Sequence, residues 1–235
     1  NGKIAMKLPE GVSLVNARIC DENDDIMLVT AKGRAIRFPT TEVRVFKSRG
    51  STGVRGIKLA AGDKVVSMSV VRHFEATSDE RIAYLKMRRA MAGVDDAADT
   101  GDEDETGSDM ALDQARFDEM QAAEDLILTI SSKGAGKISS SHGYPVRGRG
   151  GLGVMAMDKA MRGGDLVASF PVEPDDQIMM ATSTGQSIRC PVAGISFRSR
   201  SAGGVKVFDT AKGEVVVSVA RIADKGDDED EPAEA

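Results

Sequence analysis

Short runs of alternating apolar and polar residues, separated by turns, make up most of this chain. Residues 26–30 and 35–38 alternate as half-buried strands do, and the Ala-Lys-Gly sequence at 31–33 predicts a hairpin turn between them. The same alternation predicts further strands over residues 13–20 and 54–59. Four short strands in about 50 residues are typical of one blade of a propeller-like repeat. The pattern therefore predicts an all-β fold of repeated four-stranded blades.

One eight-residue stretch occurs three times in the same frame, which supports a repeat. Its copies are residues 47–54, 147–154 and 198–205, called loops 1, 2 and 3 below. Each copy has a basic residue, any residue, an arginine, a short flexible stretch, a glycine and a valine. Two cations around one residue, followed by glycine-rich chain, are suited to present positive charge to a polyanion.

Glycines that open valine-rich runs mark the boundaries of the repeat. They are Gly11, Gly62, Gly164 and Gly213, with spacings of 51, 102 and 49 residues. The doubled spacing indicates an insertion about as long as one repeat. The predicted organisation is the end of one blade, a full blade and the start of the next (1–71), the insertion (72–125), the remaining blades (126–223) and an acidic tail (224–235). Because residues 2–8 parallel 53–59, we expect the chain to begin inside an earlier unit.

The insertion has a helical pattern. Ser78 is a predicted N-cap, and Ile82 and Leu85 follow it at helical spacing. Residues 92–107 are acidic and contain almost nothing to bury, so they are predicted to be disordered, and a second helix is expected over 108–124. The insertion is thus predicted to be a helical hairpin with a disordered acidic tip, and the tail is predicted to be disordered as well.

The net charge of −6 hides two parts of opposite sign. Residues 74–125 contain 16 acids and 5 bases, and residues 224–235 contain 7 acids and 1 base. The rest of the chain has 25 bases against 14 acids, a net charge of +11. A basic repeat body with two acidic attachments indicates an anionic partner for the body.

Signals of chemistry are weak. The glycine-rich frame at 148–153 lacks the helix that a dinucleotide site needs, and no nucleophile–base pair or metal-ligand spacing is present. Cys20 and Cys190 are expected to be buried free thiols. No apolar run is long enough to span a membrane. We therefore predict no catalytic residue, no bound cofactor and no metal site in this chain.

The repeated cations are the predicted site. Cations at equal positions of successive blades lie at equal places around a rim, where they suit the phosphates of a bent duplex without reading its bases. The predicted DNA-binding residues are Lys47, Arg49, Arg147, Arg149, Arg198 and Arg200 in the loops, together with Arg37 and Arg189.

Three stretches, residues 54–59, 176–180 and 217–223, resemble the C-terminal domain of the DNA gyrase A subunit. That resemblance implies a β-pinwheel whose blades exchange strands and whose basic edge wraps double-stranded DNA, so that the enzyme introduces negative supercoils. The implied partners are the rest of the gyrase A subunit, together with the gyrase B subunit, in an A2B2 assembly that uses ATP and magnesium, in the bacterial cytoplasm at the nucleoid. The catalytic tyrosine of the family lies in an N-terminal domain, so this stretch is expected to be non-catalytic.

The chain departs from the family in one motif. The signature Gln-Arg-Arg-Gly-Gly-Lys-Gly is absent, and its nearest relative at 146–153 has Leu152 in place of the lysine. Two alternatives therefore stay open. One is the related C-terminal domain of the topoisomerase IV A subunit. The other is a propeller-like scaffold that binds an acidic protein and no nucleic acid.

Overall fold

Eleven strands and two helices form in the part of the chain that the computed structural model describes, residues 3–93, 110–159 and 163–223. The strands are β1 (Asp24–Thr30), β2 (Arg34–Pro39), β3 (Val65–Arg72), β4 (Leu126–Ser131), β5 (Ala135–Ser140), β6 (Val154–Met155), β7 (Leu166–Val172), β8 (Gln177–Thr182), β9 (Ser187–Pro191), β10 (Val205–Lys206) and β11 (Val216–Ile222). The predicted strands at 26–30 and 35–38 are confirmed as parts of β1 and β2.

The strands form three antiparallel sheets, called the first, second and third blade. The strand orders are β3-β1-β2-β6, β10-β5-β4-β7 and β11-β8-β9. In the first blade, β6 comes from the next repeat and pairs with β2, with Val154 opposite Ala35. In the second blade, β10 pairs with β5 in the same way, with Val205 opposite Gly136. The blades therefore exchange strands, and the predicted all-β blade architecture is confirmed.

Two predicted strands are wrong. Residues 13–20 and 54–59 have no strand structure. Val54 stands at the repeat position of Val154 and Val205, but no sheet edge lies opposite it within the described residues. Residues 13–20 also lack a pairing edge in that part of the chain, and Ile19 is fully exposed. A short segment or an isolated alternating run forms a strand only where a neighbouring sheet edge is available for backbone hydrogen bonding.

The core lies between the blades. Buried residues from two blades make each of the two largest clusters. The first contains Met27, Val29, Val71, Ile127, Tyr144, Met157 and Leu166, and the second contains Leu128, Ile130, Val172, Ile178, Met180 and Val192. The inner strand β7 lies beside β3, where the Ser169 amide donates to the Ser67 hydroxyl over 2.9 Å. Neighbouring blades therefore share their largest buried apolar clusters.

The insertion forms the predicted pair of helices, α1 (Ser78–Met91) and α2 (Gln114–Ala122). Thr77, rather than Ser78, caps α1, and its capping box with Glu80 holds the first turn. Asp113 caps α2, and residues 110–113 are not helical, so the expected start at 108 is wrong. The helices share a small core of Tyr84, Leu85, Phe117 and Met120.

The predicted disordered segments lie almost wholly outside the described residues. Of the predicted disordered stretch 92–107, only residues 92 and 93 are described, and the tail at 224–235 lies wholly outside the described residues. Across the described ranges, no helix has both the length and the apolar character needed to cross a membrane.

Candidate nucleic-acid interface

The three basic loops occupy the same place in successive repeats, and loops 2 and 3 lie at junctions between blades. Each follows a short 3₁₀ turn, and these turns are Thr40–Glu42, Ser141–Gly143 and Val192–Gly194. Loop 2 leaves the second blade and ends in β6 on the first, and loop 3 ends in β10 on the second. Loops 2 and 3 are thus the crossing segments of the strand exchange.

The glycines that close loops 2 and 3 are explained by that crossing. A Cβ on Gly153, whose φ is +70°, would lie 2.3 Å from the Ala35 carbonyl oxygen. A Cβ on Gly204 would lie 2.7 Å from both the amide nitrogen and the carbonyl oxygen of Gly136. Only glycine lets the two backbones approach this closely. This repeated glycine therefore serves the strand exchange.

The second cation of the loop frame holds the loop to the preceding repeat. In loop 2, Arg149 donates from Nε to the Glu42 carbonyl (3.0 Å) and from Nη1 to the Arg55 carbonyl (3.1 Å). In loop 3, Arg200 donates from Nε to the Gly143 carbonyl (2.6 Å) and from Nη1 to the Met155 carbonyl. The acceptors occupy equal repeat positions, because Glu42 and Gly143 both end a 3₁₀ turn and Arg55 and Met155 both follow the loop valine. One inter-repeat clamp is therefore built twice.

Loop 3 is held by a second buried cation. Lys137, on β5, has no exposed surface and donates from Nζ to the carbonyls of Ser199 (2.8 Å), Ala202 (2.6 Å) and Arg200. Three acceptors match the three protons of an ammonium group. Arg200 is itself buried, which contradicts the expectation that it lies on an exposed rim. Its guanidinium is directed to backbone carbonyls of the preceding repeat.

Arg37 is also buried, so its expected place on the rim is wrong. Its Nε forms a 2.7 Å ion pair with Asp25, and its two terminal nitrogens donate to the carbonyls of Ser141 (2.8 Å) and Arg72 (2.7 Å). The geometry joins the first blade to the 3₁₀ turn of the second. Arg189 occupies the same register, since Arg37 pairs with Met27 and Arg189 with Met179, yet Arg189 is exposed.

A histidine completes the Arg37 cluster. His73 Nδ1 lies 2.8 Å from the second oxygen of Asp25, and its Nε2 lies 3.2 Å from Glu75. Partial burial lowers the pKa of His73, but the hydrogen bonds and charges of Asp25 and Glu75 outweigh it, so the pKa is raised overall. The buried Asp25 carboxylate therefore has two basic neighbours, Arg37 and His73.

The remaining predicted cations are more accessible. Lys47, Arg49 and Arg147 are exposed, as is Arg149 despite its clamp, and Arg198 is half-buried. Exposed cations that the repeat frame did not include flank loop 1, namely Arg44, Arg55 and Lys58. Their proximity in sequence to the loop was the available signal. Lys137 gave no such signal, because a lysine within a strand is usually on the solvent face.

The thiols and possible metal ligands offer no further site. Cys190 is half-buried and burial raises its pKa, whereas Cys20 is exposed, so the expected burial of Cys20 is wrong. Cys20 is exposed because residues 13–20 do not join a sheet. Over the ranges that the structure describes, no three His, Cys, Asp or Glu side chains are grouped as metal ligands.

Solved structures share this fold. A DNA gyrase A C-terminal domain superposes with a TM-score of 0.65 and 21% identity, over 94% of this chain and 58% of that one. The C-terminal domain of a DNA topoisomerase IV superposes with a TM-score of 0.65 and 19% identity, over 93% and 52%. At these identities the likeness establishes the fold.

Sequence comparisons establish the family. The curated DNA gyrase A subunit of Granulibacter bethesdensis is 44% identical over 253 residues, and that of Rickettsia bellii is 39% identical over 234 residues. Both matches cover 100% of this chain but only 27% and 26% of the relative, so the chain spans about a quarter of their length. The family model described as "DNA gyrase C-terminal domain, beta-propeller" matches residues 1–21, 24–72, 125–170 and 176–223, which leaves out the insertion. The chain therefore belongs to the DNA gyrase C-terminal domain family.

Proposed function

We propose that this chain binds and wraps double-stranded DNA along its blade edges, without reading base sequence, as part of a gyrase A subunit. The observation that carries the proposal is the repeated position of the basic loops. All three follow the 3₁₀ turn of a blade, loops 2 and 3 cross to the neighbouring blade, and the first cation of loops 1 and 2 is exposed. Cations at such repeated positions are suited to contact the phosphates of a curved duplex.

The loop cations divide into two roles. We assign phosphate contact to Lys47, Arg49, Arg147 and Arg189, which are exposed, and to the half-buried Arg198 at the start of loop 3. Arg37, Arg149 and Arg200 instead hold blades and loops together through carbonyl and carboxylate contacts. Arg37 and Arg200 are buried, and a cation must reach solvent to displace counterions from DNA. Arg149 is exposed, but two backbone carbonyls hold its guanidinium, so we assign all three to fixing where the first group points.

In the parent enzyme, the wrapped duplex would present a second segment to the strand-passage machinery. The proposed partners are the rest of the gyrase A subunit, together with the gyrase B subunit, in an A2B2 assembly at the bacterial nucleoid, with ATP and magnesium acting elsewhere in that assembly. This chain's own part is positional. It holds DNA by its phosphates and bends it around the blades, and the bending costs energy that the phosphate contacts must offset.

The test is DNA affinity at two salt concentrations, on long and short duplexes. Reversal of Lys47 and of Arg147 to Glu should weaken binding to all DNA sequences alike. It should also make the slope of log K against log salt less steep, since each neutralised phosphate contributes about −0.9 to that slope. Lys212→Glu is the control for each single reversal, since Lys212 is also exposed but lies in the turn before β11, outside the loops. Equal effects of the loop and control reversals would contradict the proposal.

The topoisomerase IV alternative has one observation in its favour, the equal TM-score of its C-terminal domain.

A test for DNA wrapping distinguishes the proposed function from the alternative of a protein-binding scaffold. Closed circular DNA relaxed in the presence of this chain should retain a linking-number change if the chain wraps DNA. A protein-binding scaffold would leave the linking number unchanged.

A further inference from the structure

The inserted hairpin reaches beyond the two strands that it connects. It leaves the first blade after β3 and returns to the second at β4, yet α1 contacts the chain just before loop 3. The guanidinium carbon of Arg88 lies 4.8 Å from the ring centroid of Phe197, the residue that precedes Arg198. Glu124, at the end of the hairpin, fixes Arg88 through a 3.0 Å ion pair. Glu124 therefore orients the Arg88 guanidinium, which stacks on Phe197 next to loop 3.

The hairpin is anchored to the turn that also anchors loop 3. His142, in the 3₁₀ turn Ser141–Gly143, lies edge-on to Phe74 (5.6 Å) and Tyr84 (5.0 Å), and its Nε2 donates to the Met120 carbonyl over 2.8 Å. Burial lowers the pKa of His142, which favours the neutral ring that this apolar contact needs. The next residue, Gly143, accepts the clamp hydrogen bond from Arg200. Hairpin, turn and loop 3 thus form one connected unit.

The other two loops show what is special at loop 3. Phe46, just before loop 1, stands at the repeat position of Phe197. The guanidinium carbon of Arg44, from the same segment, lies 4.4 Å from the centroid of the Phe46 ring. Loop 2 has Val146 at that position and no ring to cover. Loop 3 has the aromatic ring but no arginine of its own before it, and the guanidinium comes from the insertion.

We infer that the inserted hairpin is a positioning element of the DNA-binding surface, in which Arg88 acts through Phe197 to fix the direction of Arg198. This inference rests on the proposed function. A planar guanidinium stacked on a ring restrains that residue and its neighbour, so less conformational entropy is lost when Arg198 meets a phosphate. Without the stack, Phe197 keeps its packing against the cluster between the second and third blades but loses its cover on the Arg88 side, and the Arg198 side chain samples more conformations before binding.

The test compares Arg88→Ala with Arg116→Ala. Arg116 is a matched control because it stacks on a ring at 4.8 Å and the groups that it contacts all lie within the insertion, namely Glu75, Glu80, Glu119 and Phe74. Both variants remove one charge and one stack, and both should lower the melting temperature. Only Arg88→Ala should also lower affinity for a long duplex, by about threefold to tenfold. Arg88→Lys retains the charge but not the planar stack, so its affinity should stay reduced.

A double-mutant cycle separates positioning from simple loss of charge. Once Arg198 is replaced by Ala, adding Arg88→Ala should cause no further loss of affinity, because Arg88 acts through Arg198. Equal losses from Arg88→Ala and Arg116→Ala, or additive losses in the cycle, would overturn the inference. If reversal of Lys47 and Arg147 weakens binding while Arg88→Ala does not, the inference fails and the proposed function stands. If none of these changes weakens binding, both fail.

Discussion

The first and third blades contain similar residues in the same register, but their surroundings differ. Met27 is 1% exposed and its equivalent Met179 is 44% exposed, and Ile36 and Ile188 are 3% and 38% exposed. In the first blade, β6 pairs with β2 and the turn of the second blade lies against Arg37. No strand pairs with the outer edge of β9 within the described residues. Burial at a repeat position is therefore set by the neighbouring unit.

The same comparison changes the role of a charge. Arg37 is 3% exposed and bonded to Asp25 and two carbonyls, whereas Arg189 is exposed. Gln177 stands at the position of Asp25 in the third blade, so the acidic partner is missing there as well. Equal repeat positions thus hold a structural arginine in one blade and a surface arginine in the other.

The largest expected difference between the blades is at these arginines. Arg37→Ala leaves the buried Asp25 carboxylate with His73 alone, and removing one partner of a buried ion pair costs roughly 3–5 kcal/mol. Arg189→Ala should change the free energy of unfolding by no more than about 0.5 kcal/mol, as expected for a surface change. Urea unfolding of the two variants measures both values. Similar costs would show that the blades are not distinguished by their surroundings.

A smaller difference is expected at the methionines. Met27→Ala removes a side chain from the cluster shared by the first and second blades, where large-to-small changes cost about 2–5 kcal/mol. Met179→Ala acts on a side chain that is already half in solvent, so we expect a cost below about 1 kcal/mol. The two free energies of unfolding should differ by at least about 1 kcal/mol. A cost at Met179 equal to that at Met27 would mean that the third blade's face is covered in solution.

The comparison also shows what sequence reasoning could reach. Hairpins such as β1–β2 were predictable because alternation and a turn glycine, Gly33 with φ +87°, are local signals. The capping box before α1 is a local signal too, although the observed N-cap is Thr77 and the predicted one was Ser78. The two-residue strands β6 and β10 were not distinguishable from residues 54–55, because only the presence of a neighbouring edge makes them strands.

Burial of cations was the other feature that sequence reasoning missed. Asp25 lies on the same face of β1 as Met27, which pairs with Arg37, so the ion pair is a diagonal cross-strand contact. The presence of Asp25 and the absence of an acid at Gln177 distinguished the two arginines in the sequence. Arg200 of loop 3 and Lys137 of β5 both donate to backbone carbonyls, and backbone acceptors have no signature in sequence.

The smallest expected effect is a pH dependence at His73 of the first blade, which has no counterpart at the equivalent place in the third blade. The hydrogen bonds and charges of Asp25 and Glu75 raise the pKa of His73 despite the opposing effect of burial, and the third blade has Gln177 where Asp25 stands. A raised pKa in the folded state means that His73 contributes stability in full below its unfolded pKa of about 6.5. That contribution is lost as the pH rises through the folded pKa.

The pH dependence from His142 has the opposite sign, because its lowered pKa makes the folded state less stable as the pH falls below about 6.5. Subtracting the stability of His73→Asn from that of the unsubstituted chain isolates His73, since His142 is common to both. The difference in melting temperature should favour the unsubstituted chain at about pH 5.5 and shrink toward about pH 8.5. A difference that is constant or grows with pH would show that the contact with Asp25 does not favour the protonated ring.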